Sequence, residues 1–445
     1  MRRILSALVV GILLSHIFRL DMSIAPGLSV RNLVIYTAAF ALFVKYLVGG
    51  GFRLDLPGLH AAFIVLFLYA TLSVLVGLYV MEYPNYEFLS AAITLKSGPF
   101  EFAILFALFF HGVRTSRDAA SVVNVFLTAF GVANVFTVLD ATGILPFGII
   151  PIAEGGENSV DRVQGALGEA NAHAAICALV IPAQFLKMLT SRGAERGLGA
   201  VWFLAGVAVM FMTASRGAIF GLIVAIALGL WLFRRFLVAS HVIRAALAIF
   251  AALALAAVVF AKNYLGLIVE RMFVQTLDSN VVEASSGRSE IWKTAVGVMV
   301  DHPLSFLTGF GWDVYSSMPF EFAPHNSYLE YWFNLGLTGL TCFVLILAFN
   351  VAMARRAAMA ADDAMRGLLC GFTVGLIALS VLVFFVQLSY AWLYVWIFSG
   401  LTMRIAVEAS PARAISPQEQ PITRATPRQR KPPFSATQRY GSRPR

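Results

Sequence analysis

The chain reads as an all-α polytopic membrane protein with about twelve transmembrane helices and a large outer loop. Three observations predict this. Hydrophobic residues make up 59% of the 445 and charged residues only 13%, with a mean hydropathy of +0.79, well beyond the balance of an ordinary soluble domain. Apolar runs of helix-spanning length recur along almost the whole chain, each long enough to cross the roughly 30 Å hydrocarbon layer. Lysine and arginine also sort to alternate connections, as the orientation rule for membrane helices requires.

Taken in order, the expected spans are roughly 4–20, 32–49, 59–80, 98–113, 120–140, 170–190, 199–214, 217–233, 243–261, 327–350, 367–386 and 389–407. The first follows Met1-Arg2-Arg3 and ends in His16, Phe18 and Arg19 without a small-residue cleavage site. It is therefore expected to be a retained helix rather than a signal peptide. With the N-terminus inside, Arg53, Arg114, Arg117, Arg192, Arg196, Arg234, Arg235, Arg355, Arg356 and Arg366 all fall on the inner face. The other face collects Glu82, Glu87, Glu154, Glu157, Asp161, Asp278, Glu283, Glu290, Asp301, Asp313 and Glu321. A miscounted helix would mix the two sets, and they stay apart.

The transmembrane domain is expected over 1–407, and 408–445 as a disordered cytoplasmic tail. From Ala409 the tail carries eight Lys/Arg against Glu419 alone, with seven prolines. It accounts for most of the formal charge of +9, so the basic pI indicates contact with anionic membrane lipid rather than nucleic acid. Two outer segments are long enough to build something, about 141–169 and about 262–325. In the second, Ile291, Ala295, Val298 and Met299 follow helical spacing. Ser286 or Ser289 is placed to cap the start, and Asp301-His302-Pro303 to end the run. An amphipathic helix along the outer face is the simple account.

Four outer features carry groups that chemistry can use. Arg162 precedes a span in "DRVQGALGEANAH", Arg216 lies in a tight turn in "MTASRGAIF", Arg288 opens the loop helix in "SSGRSEIW", and His325 precedes the tenth span in "APHNSYLEYWF". A lone interfacial arginine commonly snorkels to lipid phosphate. Pairing of Arg162 with Asp161 or Glu169, and of Arg288 with Glu290 or Glu283, competes with a ligand role. Three guanidinium forks on one face suit a lipid-linked phosphate or diphosphate. His325 titrates near neutrality and is the best available general base. Beyond it, Asn326, Glu330, Asn334 and Thr338 recur every four residues, a polar stripe expected to face the bundle interior or a wet pocket. In that frame Asn326 and Glu330 are candidates to touch substrate, with a helix–helix hydrogen bond as the competing role for Glu330.

The remaining histidines show no metal-ligand spacing, Cys177, Cys342 and Cys370 are isolated, and Gly49-Gly50-Gly51 lacks the setting of a nucleotide cradle. Neither a metal site nor a cofactor is expected.

At "RVQGALGEAN", "ASRGA", "SGRSEIWKTA", "PLSFLTGFGWDVY" and "HNSYLEYWFNLGLTGL" the chain resembles the O-antigen ligase and polymerase superfamily of bacterial envelope polysaccharide assembly. The ordered motifs cover about residues 120–390. The resemblance implies a GT-C-like, metal-independent, inverting glycosyltransferase of the inner membrane with its active site facing the periplasm. Its donor would be an oligosaccharide on undecaprenyl diphosphate, and its acceptor a second glycan or lipid A core. Other polysaccharide export proteins would be its partners. Carried over by motif, Arg216 and Arg288 hold the donor diphosphate, His325 activates the acceptor, and Arg162 is a further binding residue. Ligase and polymerase both remain open, the modest chain size leaning to the polymerase. A flippase or transporter using the same arginines without chemistry is the alternative, which broken helices or internal repeats would favour.

Overall fold

The computed structural model describes residues 1–20, 23–49, 55–83, 85–150, 152–153, 162–236, 287–318, 320, 323–389 and 391–409, with Ile243 and Leu247. The expected ninth span, most of the outer loop before Gly287 and the tail lie outside the described residues. Helix α1 (Arg2–Ile17) is followed by a short hairpin, β1 (Ser23–Ala25) and β2 (Leu28–Ser29). Next come α2 (Val30–Gly49), α3 (Pro57–Tyr79), α4 (Phe88–Leu95), α5 (Glu101–Gly112) and α6 (Ser116–Ala141). Strands β3 (Ile152–Ala153) and β4 (Arg162–Val163) pair antiparallel ahead of α7 (Ala170–Thr190), α8 (Gly193–Met212) and α9 (Arg216–Leu232). Further along the chain lie α10 (Arg288–Asp301), the single turn α11 (Ser305–Thr308), α12 (Ser327–Ala360), α13 (Asp363–Leu382) and α14 (Ala391–Ala409).

Eight of these helical stretches are long and apolar enough to cross a membrane, which makes the chain a polytopic all-α membrane protein. Helices α1, α9 and α14 stand where three further spans are expected. The starts are fixed by side chains that accept from otherwise orphaned amides. Thr115 accepts from Asp118 N at the head of α6, Glu169 from Asn171 N and Ala172 N at α7, Asn326 from Leu329 N at α12, and Asp362 from Met365 N at α13.

Helix α7 is the axis of the bundle, with Ala174 through Val180 wholly buried. Lipid tails are as apolar as leucine, so close backbone packing rather than water exclusion must join these helices. Glycine supplies that closeness: a Cβ on Gly375 of α13 would lie 2.0 Å from the Leu179 carbonyl oxygen of α7, and one on Gly221 of α9 would lie 2.6 Å from the Ala378 carbonyl oxygen of α13. Phe126, Phe130, Tyr394 and Phe398 interlock α6 with α14. At one end of the bundle Arg404 reaches Asp55 at 3.1 Å and the Arg114 carbonyl at 2.7 Å, while Glu408 accepts from Ser116 N at 2.6 Å.

Two helices depart from the expected spans. The fourth begins at Phe88, ten residues early, and is broken by a wide turn over Lys96–Phe100 in which Gly98 leaves helical geometry and Pro99 follows. The tenth runs to Ala360 and is broken at Gly336 (φ 60°). That break removes Thr338 from the expected polar stripe, whose other members, Asn326, Glu330 and Asn334, precede it and are buried or half-buried. Thr338 emerges exposed on the far side of it, while Asn334 is buried and accepts from the Tyr315 amide at 3.1 Å.

The break leaves carbonyls that no helical amide reaches, which in hydrocarbon would cost several kcal/mol each. The loop after α11 answers them, Phe310 N donating to Phe333 O at 2.9 Å and Gly311 N to Asn334 O at 2.8 Å. Gly309 and Gly336 permit the approach: both have positive φ, and a Cβ on either would lie 2.3 Å from a carbonyl oxygen of the other strand.

Helix α10 forms where the apolar spacing predicts and ends at Asp301. Gly287, in the left-handed region, takes the cap position at its start, and Ser286 lies outside the described residues. Its buried Ala295 and Met299 join Phe310, Val314, Leu329 and Phe333 in a separate apolar cluster. Through these residues the helix packs against the head of α12.

Candidate functional site

Three elements carrying predicted residues converge on the connection between α13 and α14. From α9, Gly217 packs on Leu382 and Phe385, and Phe220 meets the Phe385 ring edge-on with centroids 6.0 Å apart. From α12, Ser327 N donates to Val383 O at 2.9 Å and Ser327 Oγ to Val386 O at 3.3 Å. From α10, the Trp292 ring stands edge-on to Phe384 with centroids 5.4 Å apart. Arg216, His325 and Arg288 are thus each placed within a few residues of contacts to one short segment.

Arg216 is the first residue of α9 and follows a turn of three residues, Thr213 to Ser215, in which Ala214 has φ +47°. That turn is braced by Arg162, whose Nε donates to Thr213 O at 2.8 Å and Nη2 to Asn171 Oδ1 at 3.0 Å. Ser215 Oγ donates to the same Asn171 oxygen at 3.2 Å. Glu169, offered by the sequence as a partner for Arg162, instead caps α7; Asp161 lies outside the described residues. The loop that delivers Arg162 is pinned by Gly165 (φ +68°), which sits so near the His173 ring that a Cβ would lie 2.4 Å from it. His173 is a core histidine, its Nε2 meeting Asn134 Oδ1 at 2.9 Å.

His325 is held between Pro324 and Asn326 with φ +47°, a left-handed conformation uncommon away from glycine. Asn326 spends its side-chain oxygen on Leu329 N at 3.0 Å as the helix cap. Burial and the neighbouring Arg288 guanidinium, in that order, hold the His325 imidazole below its usual range. Near neutral pH it is therefore uncharged and able to accept a proton. Glu330, one turn into α12, receives a bond from Gln387 Nε2 at 2.6 Å.

Sequence reasoning singled out Arg162, Arg216, Arg288, His325, Asn326 and Glu330 but missed Gln387, Asn171 and Trp292, which hold them. The signal for Gln387 was a lone amide in the apolar stretch "FFVQLS". Asn171 and Trp292 act through contacts between segments distant in sequence, and no local pattern announces those. Among the described residues no three His, Cys, Asp or Glu side chains gather as a metal-ligand group.

A protein-family model described as O-antigen ligase matches residues 200–344. Arg216, Arg288, His325, Asn326 and Glu330 lie inside that stretch and Arg162 outside it. No curated protein matches the chain.

Proposed function

We propose that this membrane protein, which resembles the O-antigen ligases and polymerases over residues 200–344, is an inverting glycosyltransferase working on undecaprenyl-diphosphate-linked glycan at the periplasmic face of the inner membrane. The observation that carries the reading is the bond from the Trp292 indole to the Pro324 carbonyl at 2.8 Å, which ties the helix opened by Arg288 to the loop of His325, on elements that share the 382–387 segment with the Arg216 turn. A permanent cation beside a neutral imidazole is what the reaction needs. His325 takes the proton of an acceptor hydroxyl as that oxygen bonds to the anomeric carbon. The bond from that carbon to the diphosphate oxygen breaks, and the electron pair leaves with the diphosphate. Arg216 and Arg288 neutralise the charge that gathers there, the role for which a bidentate guanidinium is suited. Arg162 supports the turn that presents Arg216.

The breaks at Gly98 and Gly336 are the feature expected of a transporter, and a flippase of lipid-linked glycan is the second reading. At Gly336, however, the freed carbonyls are bonded to the outer loop, so this break anchors protein and does not line a path.

The test is reconstitution of the purified protein in bilayers with an undecaprenyl-diphosphate-linked repeat unit from the source bacterium. A ladder of products that disappears in His325→Ala supports a polymerase. Product only after lipid A core is added supports a ligase. Movement of the lipid-linked glycan without a new glycosidic bond would overturn the reading in favour of the flippase.

A further inference from the structure

The connection from α6 to β3 is used by nothing described so far, and its composition is unusual for an outer loop. From Ala141 to Ala153 the sequence ATGILPFGIIPIA holds no Asp, Glu, Lys or Arg. Ile144, Leu145 and Phe147 are 63%, 47% and 50% exposed. Large apolar side chains turned outward together mark a surface that meets something other than water.

The backbone of the same loop is bonded as hydrocarbon demands. The Asp140 carboxylate at the end of α6 accepts from Gly148 N at 2.8 Å on one oxygen, and from Ile149 N at 3.1 Å and Ile150 N at 2.8 Å on the other. Gly143 N donates to Asp140 O at 3.1 Å, Leu145 N to Leu139 O at 3.1 Å and Phe147 N to Leu145 O at 3.0 Å. Pro146 has no amide to satisfy. A loop in water can leave such groups to solvent, whereas one at the edge of a bilayer must bond them internally. The loop leaves the end of a spanning helix, and its exposed side chains extend the surface of α6 on which Val132 is 52% exposed.

The loop is also tied to the candidate site. The Phe147 ring stacks on Phe136 of α6, with centroids 4.6 Å apart and planes within 14°. Ile150 is buried in one cluster with Val163 and Met212. Val163 follows Arg162 and pairs with Ile152 in the β3–β4 ladder. Met212 ends α8, immediately before the turn that presents Arg216.

We propose that the loop from Gly143 to Ile150 is an interfacial anchor: Ile144, Leu145 and Phe147 enter the lipid leaflet on the Arg216 side of the membrane, and the Ile150, Val163 and Met212 cluster sets the depth of the Arg216 turn by that insertion. The occupant of this surface is bilayer lipid. The anchor stands apart from the glycosyl-transfer reading, and its effect on a lipid-linked donor rests on that reading.

The experiment places a nitroxide label on Ile144→Cys, Leu145→Cys and Phe147→Cys in turn, in full-length protein in bilayers of phosphatidylethanolamine and phosphatidylglycerol. Cys342 is replaced by alanine, and Cys177 and Cys370 are buried. Val132→Cys on α6 serves as the lipid reference and Asp301→Cys at the end of α10 as the water reference. Collision rates are measured with oxygen, which concentrates in hydrocarbon, and with a neutral nickel chelate, which stays in water. Labels at 144, 145 and 147 are expected to follow Val132→Cys, with frequent oxygen and rare nickel collisions. Nickel collisions as frequent as at Asp301→Cys would overturn the anchor. Rare collisions with both reagents would overturn it too, since the surface would then be covered by a second copy or another protein.

The link to Arg216 is tested on transfer from the undecaprenyl-diphosphate-linked repeat unit. Leu145→Asp is expected to raise KM for that donor on the order of tenfold with kcat little changed, and Leu145→Met to leave both as in wild type. Should Leu145→Asp fail to reach the membrane, Leu145→Asn takes its place. Lipid-like collisions with an unchanged KM would overturn the link to Arg216 and uphold the anchor. A wild type without product overturns the glycosyl-transfer reading, and the collision rates still decide the anchor.

Discussion

The indole Nε1 of Trp292 donates to the carbonyl of Pro324 at 2.8 Å, so the helix that opens with Arg288 and the loop that carries His325 are one mechanical piece. The bond links residues 32 apart in sequence and sits immediately before the strained histidine. Trp292→Phe keeps a ring against Phe384 but deletes the donor, at a cost of about 1 kcal/mol. Transfer is expected to fall roughly tenfold or less, as 1.4 kcal/mol is a factor of ten, while the amount of protein in the membrane stays level. A wild-type rate of product formation in Trp292→Phe would show that the link is dispensable.

The pH dependence follows from the same junction. In the proposed reaction His325 is the base, a role open to it only when neutral, and its protonation equilibrium is displaced to the acid side by burial and Arg288. Activity is therefore present above that displaced value and is lost as pH falls through it. Arg288→Gln removes the positive charge, makes protonation easier and moves the acid limb up. A profile of kcat/KM against pH, taken on wild type and Arg288→Gln, checks the direction. An acid limb that stays put would separate Arg288 from His325.

Arg216→Lys exchanges a fork for a point charge. Loss of one charge-assisted bond, on the order of 1.5–3 kcal/mol, raises KM for the lipid-linked donor by about tenfold to a hundredfold. Asn171→Ala removes the oxygen shared by Arg162 and Ser215 and is expected to give a smaller loss of the same kind. Equal KM values in wild type and Arg216→Lys would assign that arginine to the lipid headgroup region instead.

Gly336→Ala tests the broken helix. The positive φ and the 2.3 Å approach to Leu307 O force the loop and α12 apart, breaking the two bonds from Phe310 and Gly311. A loss of several kcal/mol is expected, seen as a lower midpoint in thermal unfolding of detergent-solubilised protein and as protease cleavage within 307–318. A midpoint within error of wild type would contradict the packing described.

Much of the helical plan was legible, because hydrocarbon demands long apolar runs and the chain supplies them plainly. The tight turn before Arg216 and the limits of α10 could be read for the same reason: two apolar runs with three residues between them leave only one geometry, and Ala295 and Met299 mark a face. Thr338 alone was misplaced in the polar stripe, because a four-residue period assumes an unbroken helix. Gly336 in "NLGLTGL" looks like any membrane glycine until the loop that needs its carbonyls is in place. Arg162 and Glu169 likewise stand close in sequence, yet Glu169 has amides of its own to satisfy, and the arginine turns to a backbone carbonyl fifty-one residues away.

The break in α12 also bears on how the protein is made. The amides that complete it come from residues 310 and 311, synthesised only some two dozen residues before their acceptors. The pairing is local in the chain and is available as soon as this hairpin leaves the insertion machinery. Until it forms, a helix with bare carbonyls faces lipid. The bonds that close the break thus join neighbours in the chain, and they tie the loop that leads to His325 to the helix that follows it.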